Sequence, residues 1–124
     1  METTIFLGET EYKAKANALT AMHYKNQFQS DILKDTLEAI GGVEAILKLN
    51  EVKDKSDYKQ MQALVEGIDT VLIYQLIWAF LKTADLKMTP FVKWMDNIPY
   101  EPVTDLMLQE GFVDLLVGNI HRKK

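Results

Sequence analysis

Residues 70–81 read TVLIYQLIWAFL, and this stretch decides the fold. Ten of its twelve residues are apolar or aromatic, and no charge lies between Asp69 and Lys82. The run is too short to cross a bilayer as a helix, which takes roughly 20 apolar residues. A surface helix would carry polar residues along one whole face, and this run does not. The pattern therefore predicts a central helix over about 70–84 that its neighbours cover on nearly every side.

Length and composition bound the class of protein. The chain has 124 residues, of which 48% are apolar and 26% charged, as expected for one soluble globular domain over 1–124. Its net charge of -4 makes nucleic acid an unlikely partner, because such binders usually carry a basic patch. The absence of cysteine excludes disulfides and thiolate metal sites. Residues 1–4 lack the features of a secretory signal, so we expect a cytoplasmic protein with no membrane partner.

The chain divides into two parts of different periodicity. Residues 3–7 are rich in β-branched and aromatic types, Gly8-Glu9 can form a turn, and an alternating pattern follows to Lys15. This pattern predicts a β-hairpin over 1–16, followed by a helical body over 17–124. The mixed charges of 50–57 carry no apolar period and predict an exposed loop.

The predicted fold class is mainly α, a small bundle of about five or six helices around the central helix, with the N-terminal hairpin. Local sequence signals place the helix starts, and we expect N-caps at Asn17, Ser30, Asp69 or Thr70, and Thr89 ahead of Pro90. The first helix should end near Gln29. The Gly41-Gly42 pair should end the second helix, and Gly111 is a possible break in the last.

Catalytic chemistry finds little support in the residue types. The histidines are His23 and His121, the serines are Ser30 and Ser56, and neither serine lies in a Gly-x-Ser-x-Gly motif. We therefore expect no enzyme activity and no catalytic residues.

Metal and cofactor sites are equally weak. Asp31, Asp35 and Glu38 are spaced to share one helical face, but magnesium sites usually draw ligands from several elements. A solvated acidic face explains the spacing equally well. No metal ligand and no cofactor is predicted.

A helix-turn-helix over 32–49 is the alternative from another functional class. Two short helices flanking the glycine pair would match that motif in a small DNA-associated regulator. The second helix offers only Glu44 and Lys48 as charges, which is a poor surface for a major groove.

Three segments carry a resemblance to a known family. They are YKNQFQSDIL (24–33), YQLIWAFLK (74–82) and TPFVKWMD (89–96). Together with the order of a short strand pair and a helical body, they resemble the tail assembly chaperones of long-tailed (siphovirus-type) phages and prophages. The resemblance implies a mostly helical, non-enzymatic protein of the host cell cytoplasm. Such proteins are thought to coat the tape measure protein, keep it soluble and help recruit tail tube subunits.

The implied partner predicts an apolar groove for helices. A tape measure protein is long and largely helical, and helix-in-groove binding uses an apolar channel with a polar rim. We expect this channel to be lined by Phe91, Trp94, Phe112 and Leu116. A homo-oligomer is also expected, because coating a long rod takes many copies.

Overall fold

The computed structural model describes residues 1–51, 59, 62–63, 66 and 68–120. In chain order the elements are β1 (Glu2–Leu7), β2 (Thr10–Lys15), α1 (Ala18–Phe28), α2 (Ile32–Glu51), α3 (Thr70–Ala84), α4 (Phe91–Asn97), α5 (Val103–Met107) and α6 (Glu110–Ile120). The predicted mainly α fold with an N-terminal hairpin is confirmed. Of the predicted loop at 50–57, the first two residues end α2 instead. The others lie outside the described residues.

The α3 helix is the centre of the molecule, as its sequence predicts. Its first turn is capped by Asp69, whose Oδ1 accepts a hydrogen bond of 3.0 Å from the Leu72 amide. Ten of its fifteen residues are buried, and it packs against α1, α2, α5 and β2. Each fully buried large apolar side chain contributes about 1.5–3 kcal/mol, so this helix supplies much of the hydrophobic stabilisation.

The hairpin covers one side of α3. The two strands pair antiparallel from Glu2 opposite Lys15 to Leu7 opposite Thr10, around a turn in which Gly8 has a φ of 64°. Alternation divides the residues between two faces. The inward residues Ile5, Leu7 and Ala14 are buried in the core.

The outer edge of β1 is closed by the start of α6. The Gln109 amide satisfies both backbone groups of Phe6: its Oε1 accepts from the Phe6 N–H at 2.8 Å and its Nε2 donates to the Phe6 carbonyl at 2.7 Å. A Cβ at Gly111 would collide with the Thr4 carbonyl and the Thr3 side chain, so a glycine allows the close approach. Gly111 lies inside α6 and does not break it.

The α2 helix corrects two predictions. It runs without interruption from Ile32 to Glu51, so Gly41-Gly42 neither ends it nor forms a turn. A glycine costs a helix interior only about 1 kcal/mol, which the packing of this helix against the core offsets. Its N-terminal cap is Asp31, whose Oδ1 accepts from the Leu33 amide at 2.8 Å, and not Ser30. The Ser30 hydroxyl instead donates to Asp35.

The other helix ends follow the local sequence with one shift. Asn17 caps α1 and the helix ends before Gln29, both as predicted. The structure adds that the cap is a capping box and that Gln29 adopts the left-handed conformation. In contrast, α4 begins one residue late: Pro90 is the N-cap, and no side chain in the described part of the chain caps the helix. The carbonyl of Thr89 accepts a hydrogen bond of 2.9 Å from Trp78 Nε1, which fixes this segment on α3.

Candidate partner-binding surface

The four residues predicted to line an open groove are buried. Phe91 is 9% exposed and Trp94 5%, and Phe112 and Leu116 are inaccessible. They therefore belong to the core, and the prediction of an open groove lined by them is wrong. A chain of this size has few large side chains with which to fill its interior, so its aromatic residues are needed there.

The same four residues form two packing groups. The Phe91 and Trp94 rings lie 6.1 Å apart, and Phe91 also meets the Phe28 ring edge-on at 4.9 Å. Phe112 packs against Phe80 of α3 at 6.4 Å between ring centroids. Trp94 also meets the Tyr74 ring of α3 at 6.4 Å between centroids. Each group therefore joins one of the helices α4 and α6 to α3.

A different apolar surface lies in the open on α2. Leu33, Leu37 and Leu47 are 47%, 54% and 50% exposed, and Ile40 between them is half-buried. At 100° per residue these four residues and Glu44 fall within a band about 80° wide. We call these five residues the α2 stripe. It runs about 21 Å from Leu33 to Leu47 at 1.5 Å per residue.

The spacing of the α2 stripe is that of a helix that packs against another helix. Successive members lie four, three, four and three residues apart, which is the 3.5-residue period of a coiled-coil interface. Four of the five positions are apolar and the fifth, Glu44, is exposed. This period is visible in the sequence only if 32–51 is taken as one helix, and the glycine pair concealed it.

The surroundings of the α2 stripe give it a defined border. Asn119 of α6 donates to Thr36 Oγ1 at 3.3 Å, so α6 lies along one side. On the other side the exposed residues are Lys34, Glu38, Gly41 and Lys48. A Cβ at Gly41 would meet no atom within 4 Å. An apolar strip between a packed helix and a charged margin is a typical helix-docking surface.

A buried polar cluster holds the first turn of α2 in place. Tyr24 of α1 donates a hydrogen bond of 2.6 Å to Asp35 Oδ2, and its hydroxyl lies 3.1 Å from Gln75 Oε1 of α3. Ser30 donates to the same Asp35 oxygen at 2.9 Å. Burial, and then the hydrogen bond to the Asp35 carboxyl group, raise the pKa of Tyr24 well above its usual range. The cluster fixes α1, α2 and α3 relative to one another.

His23 lines a cavity between α1 and α3. The cavity has a volume of about 360 Å³, and its lining residues are His23, Asn26, Gln27, Trp78, Lys82, Met88 and Pro90. Burial, and then the charge of Lys82, lower the pKa of His23. Ser30 bonds to Asp35 and not to a histidine, and His121 and Ser56 lie outside the described residues.

Neither a metal-ion cluster nor a membrane-spanning helix is found among the described residues. They contain no group of three or more His, Cys, Asp or Glu side chains arranged to hold a metal ion. Of the three carboxylates that share a sequence spacing, Asp35 is buried in the polar cluster and Asp31 caps α2. No helix within this part of the chain has both the length and the hydrophobicity to span a membrane.

Comparison of the chain with models of protein families, with curated proteins and with solved structures finds no match in any of the three.

Proposed function

We propose that this chain is a tail assembly chaperone of a long-tailed phage or prophage. In this role it binds the tape measure protein in the host cell cytoplasm, keeps it soluble and helps recruit tail tube subunits. Two lines support the proposal: the resemblance of 24–33, 74–82 and 89–96 to that family, and the exposed α2 stripe. The DNA-associated alternative loses its basis, because 32–49 is part of one helix and contains no turn.

The observation that carries the proposal is an exposed coiled-coil period on an otherwise well-packed helix. Leu33, Leu37 and Leu47 are each about half exposed, although the inner face of the same helix is buried. Exposed apolar side chains at regular helical spacing are costly in water unless a partner covers them. A long, largely helical partner offers the complementary period over many turns.

The α2 stripe also specifies the chemistry of its partner helix. A helix that buries Leu37, Ile40 and Leu47 must be apolar at the facing positions. Glu44 interrupts the apolar positions near one end, and a charge at such a position fixes register when it meets an opposite charge. We therefore expect an amphipathic helix with a lysine or arginine opposite Glu44.

The proposed role is binding without catalysis. The Ser30 hydroxyl is engaged with Asp35, and among the described residues the lining of the cavity beside His23 includes neither a serine nor an acid.

Co-expression with the tape measure protein of the same genome tests the proposal. The soluble yield of that protein should rise several-fold in the presence of this chain. Leu37→Asp places a charge in the middle of the α2 stripe and should abolish the effect. Val92→Asp is the matched control, because Val92 is 76% exposed on α4 and lies outside the stripe.

One outcome would reject the chaperone role, and two others would reject the part assigned to the α2 stripe. The first is an unchanged yield with the wild-type chain. The second is an equal effect of the two aspartate variants. The third is a loss of self-association in Leu37→Asp with solubility support intact, which would assign the α2 stripe to contacts between copies.

A further inference from the structure

The outer edge of β2 is open. Met1 and Ala16 exchange both backbone hydrogen bonds, since the Ala16 amide donates to the Met1 carbonyl at 2.9 Å and the Met1 ammonium donates to the Ala16 carbonyl at 3.2 Å. Bonded pairs alternate along an antiparallel ladder, so the backbone groups of Glu11, Lys13 and Lys15 point away from β1. Within the described part of the chain no hydrogen bond reaches those of Glu11 and Lys13.

The two edges of the hairpin therefore differ in whether their outward backbone groups have hydrogen-bond partners among the described residues. On β1 the outward backbone groups of Phe6 are taken by Gln109, and Gly111 lies against Thr4. On β2 the packing partner is α3, and Ala14 on the inward face is buried. An unpaired edge of this length is a template for another strand.

The charges on this edge are arranged symmetrically about one residue. Residues 9–15 read Glu-Thr-Glu-Tyr-Lys-Ala-Lys, so each acid on one side of Tyr12 has a lysine at the same distance on the other. We propose that two copies of this chain pair through β2, antiparallel and with Tyr12 on the two-fold axis, to form a continuous four-stranded sheet. This pairing places Glu11 opposite Lys13 of the second copy, and Lys13 opposite its Glu11.

Charge and backbone geometry select this register among the alternatives. On β2 only the odd-numbered residues present outward backbone groups, so an odd-numbered residue must lie opposite an odd-numbered residue of the second copy. The two-fold axis must then pass through a residue and not between two residues. An axis at Glu11 would oppose two glutamates, and an axis at Lys13 would oppose two lysines. Like charges directly opposite one another destabilise a sheet, whereas opposite charges stabilise it. Of these three axes, only the one at Tyr12 pairs every charge with its opposite.

The arrangement explains why lysines on this edge do not prevent pairing. Lysine on an edge strand ordinarily blocks association by leaving a charge without a partner. Here each copy supplies the acid that the lysine of the other copy needs. Glu9 of one copy also comes opposite Lys15 of the other. Within its own hairpin, the Nζ of Lys15 lies 3.7 Å from Glu2 Oε1. The interface is isologous and closes as a dimer without leaving this edge free.

Sedimentation equilibrium of the purified chain at low salt tests the pairing. The wild type should dimerise in the micromolar range expected of a small interface, and added salt should weaken the dimer. Glu11→Lys and Lys13→Glu should each weaken it ~10-fold or more, because each places like charges opposite one another twice. The double exchange, Glu11→Lys with Lys13→Glu, should restore it. Asp96→Lys and Lys93→Glu, on exposed positions of α4, are the charge-matched controls.

A mixture of the two single variants provides the decisive result. One variant then carries two lysines and the other two glutamates at these positions, so native mass spectrometry should detect the mixed dimer in excess of either homodimer. The proposal is overturned if the wild type stays monomeric throughout the micromolar range. It is also overturned if the single variants dimerise like the wild type, or if their mixture forms no excess of mixed dimer.

Discussion

At the scale of single residues, the Tyr24 hydroxyl ties together three helices. Asp35 is 6% exposed, and its Oδ2 receives both the Tyr24 and the Ser30 hydroxyl. A buried carboxyl group is costly unless its oxygens are hydrogen-bonded. The two hydrogen bonds offset the cost of burying the Asp35 carboxyl group, and the one from Tyr24 also fixes α2 against α1.

Tyr24→Phe should lower the free energy of unfolding by about 1–3 kcal/mol, because it leaves Asp35 with one hydroxyl donor fewer in a buried site. Urea unfolding measures the change. Tyr100→Phe is the matched control: Tyr100 is 87% exposed, and its change should stay within about 0.5 kcal/mol. Equal effects at both positions would contradict the role given to the cluster.

Alkaline pH should reduce the difference between the wild type and Tyr24→Phe. Tyr24 has its pKa raised in the folded state, chiefly by burial, whereas in the unfolded chain it titrates near its usual value of about 10. Above that pH the unfolded state loses the proton and the folded state keeps it, so the contribution of Tyr24 to stability declines as pH rises. Tyr74, whose pKa burial also raises, is present in both proteins and cancels. A difference that stays constant from pH 8 to about pH 11 would contradict the account.

Local chemistry predicted some residue positions and not others. Asn17 and Asp69 were predictable as caps because a cap depends on the few residues that follow it. Ser30 was mistaken for a cap because its sequence context resembles one, while its actual partner, Asp35, sits in a site completed by Tyr24. Contacts between elements do not appear in local patterns.

Among the secondary-structure elements, α2 stays helical through two glycines because its packing against the core outweighs their low helix propensity. The run of apolar residues on both sides of Gly41 is long enough for one continuous helix, and Gly41 itself faces open space. The central position of α3 could be predicted because a helix that is apolar on nearly all sides must lie in the core. The α2 stripe was not, since its period crosses the glycine pair.

The same substitution at two helical glycines should have opposite effects. Gly41→Ala adds a methyl group in open space and should raise the free energy of unfolding by about 0.5–1 kcal/mol through helix propensity. Gly111→Ala forces α6 away from Thr4 and should lower it by about 1–3 kcal/mol. Thermal unfolding of the pair gives both signs in one experiment. A destabilised Gly41→Ala variant would indicate that α2 is not continuous.

In the molecule as a whole, the four residues expected at the binding surface lie in the core. Phe91, Trp94, Phe112 and Leu116 were expected to meet a partner, yet they fix α4 and α6 on α3. Aromatic residues are favoured both in cores and at interfaces, so residue type alone does not separate the two. Burial in the folded chain does: it assigns these four residues to the core and leaves Leu33, Leu37 and Leu47 about half exposed.

Methyl-resolved NMR of the chain with selectively labelled leucines tests whether the α2 stripe binds the tape measure protein. A helical segment of the tape measure protein is titrated into the sample, and each leucine methyl is followed. We expect the methyl signals of Leu33, Leu37 and Leu47 to shift or broaden, and those of the exposed Leu19 and Leu86 and the buried Leu116 to stay unchanged. Perturbation of Leu19 and Leu86 with the α2 stripe unchanged would contradict binding at the stripe. The absence of any perturbation at an excess of the partner segment would contradict it as well.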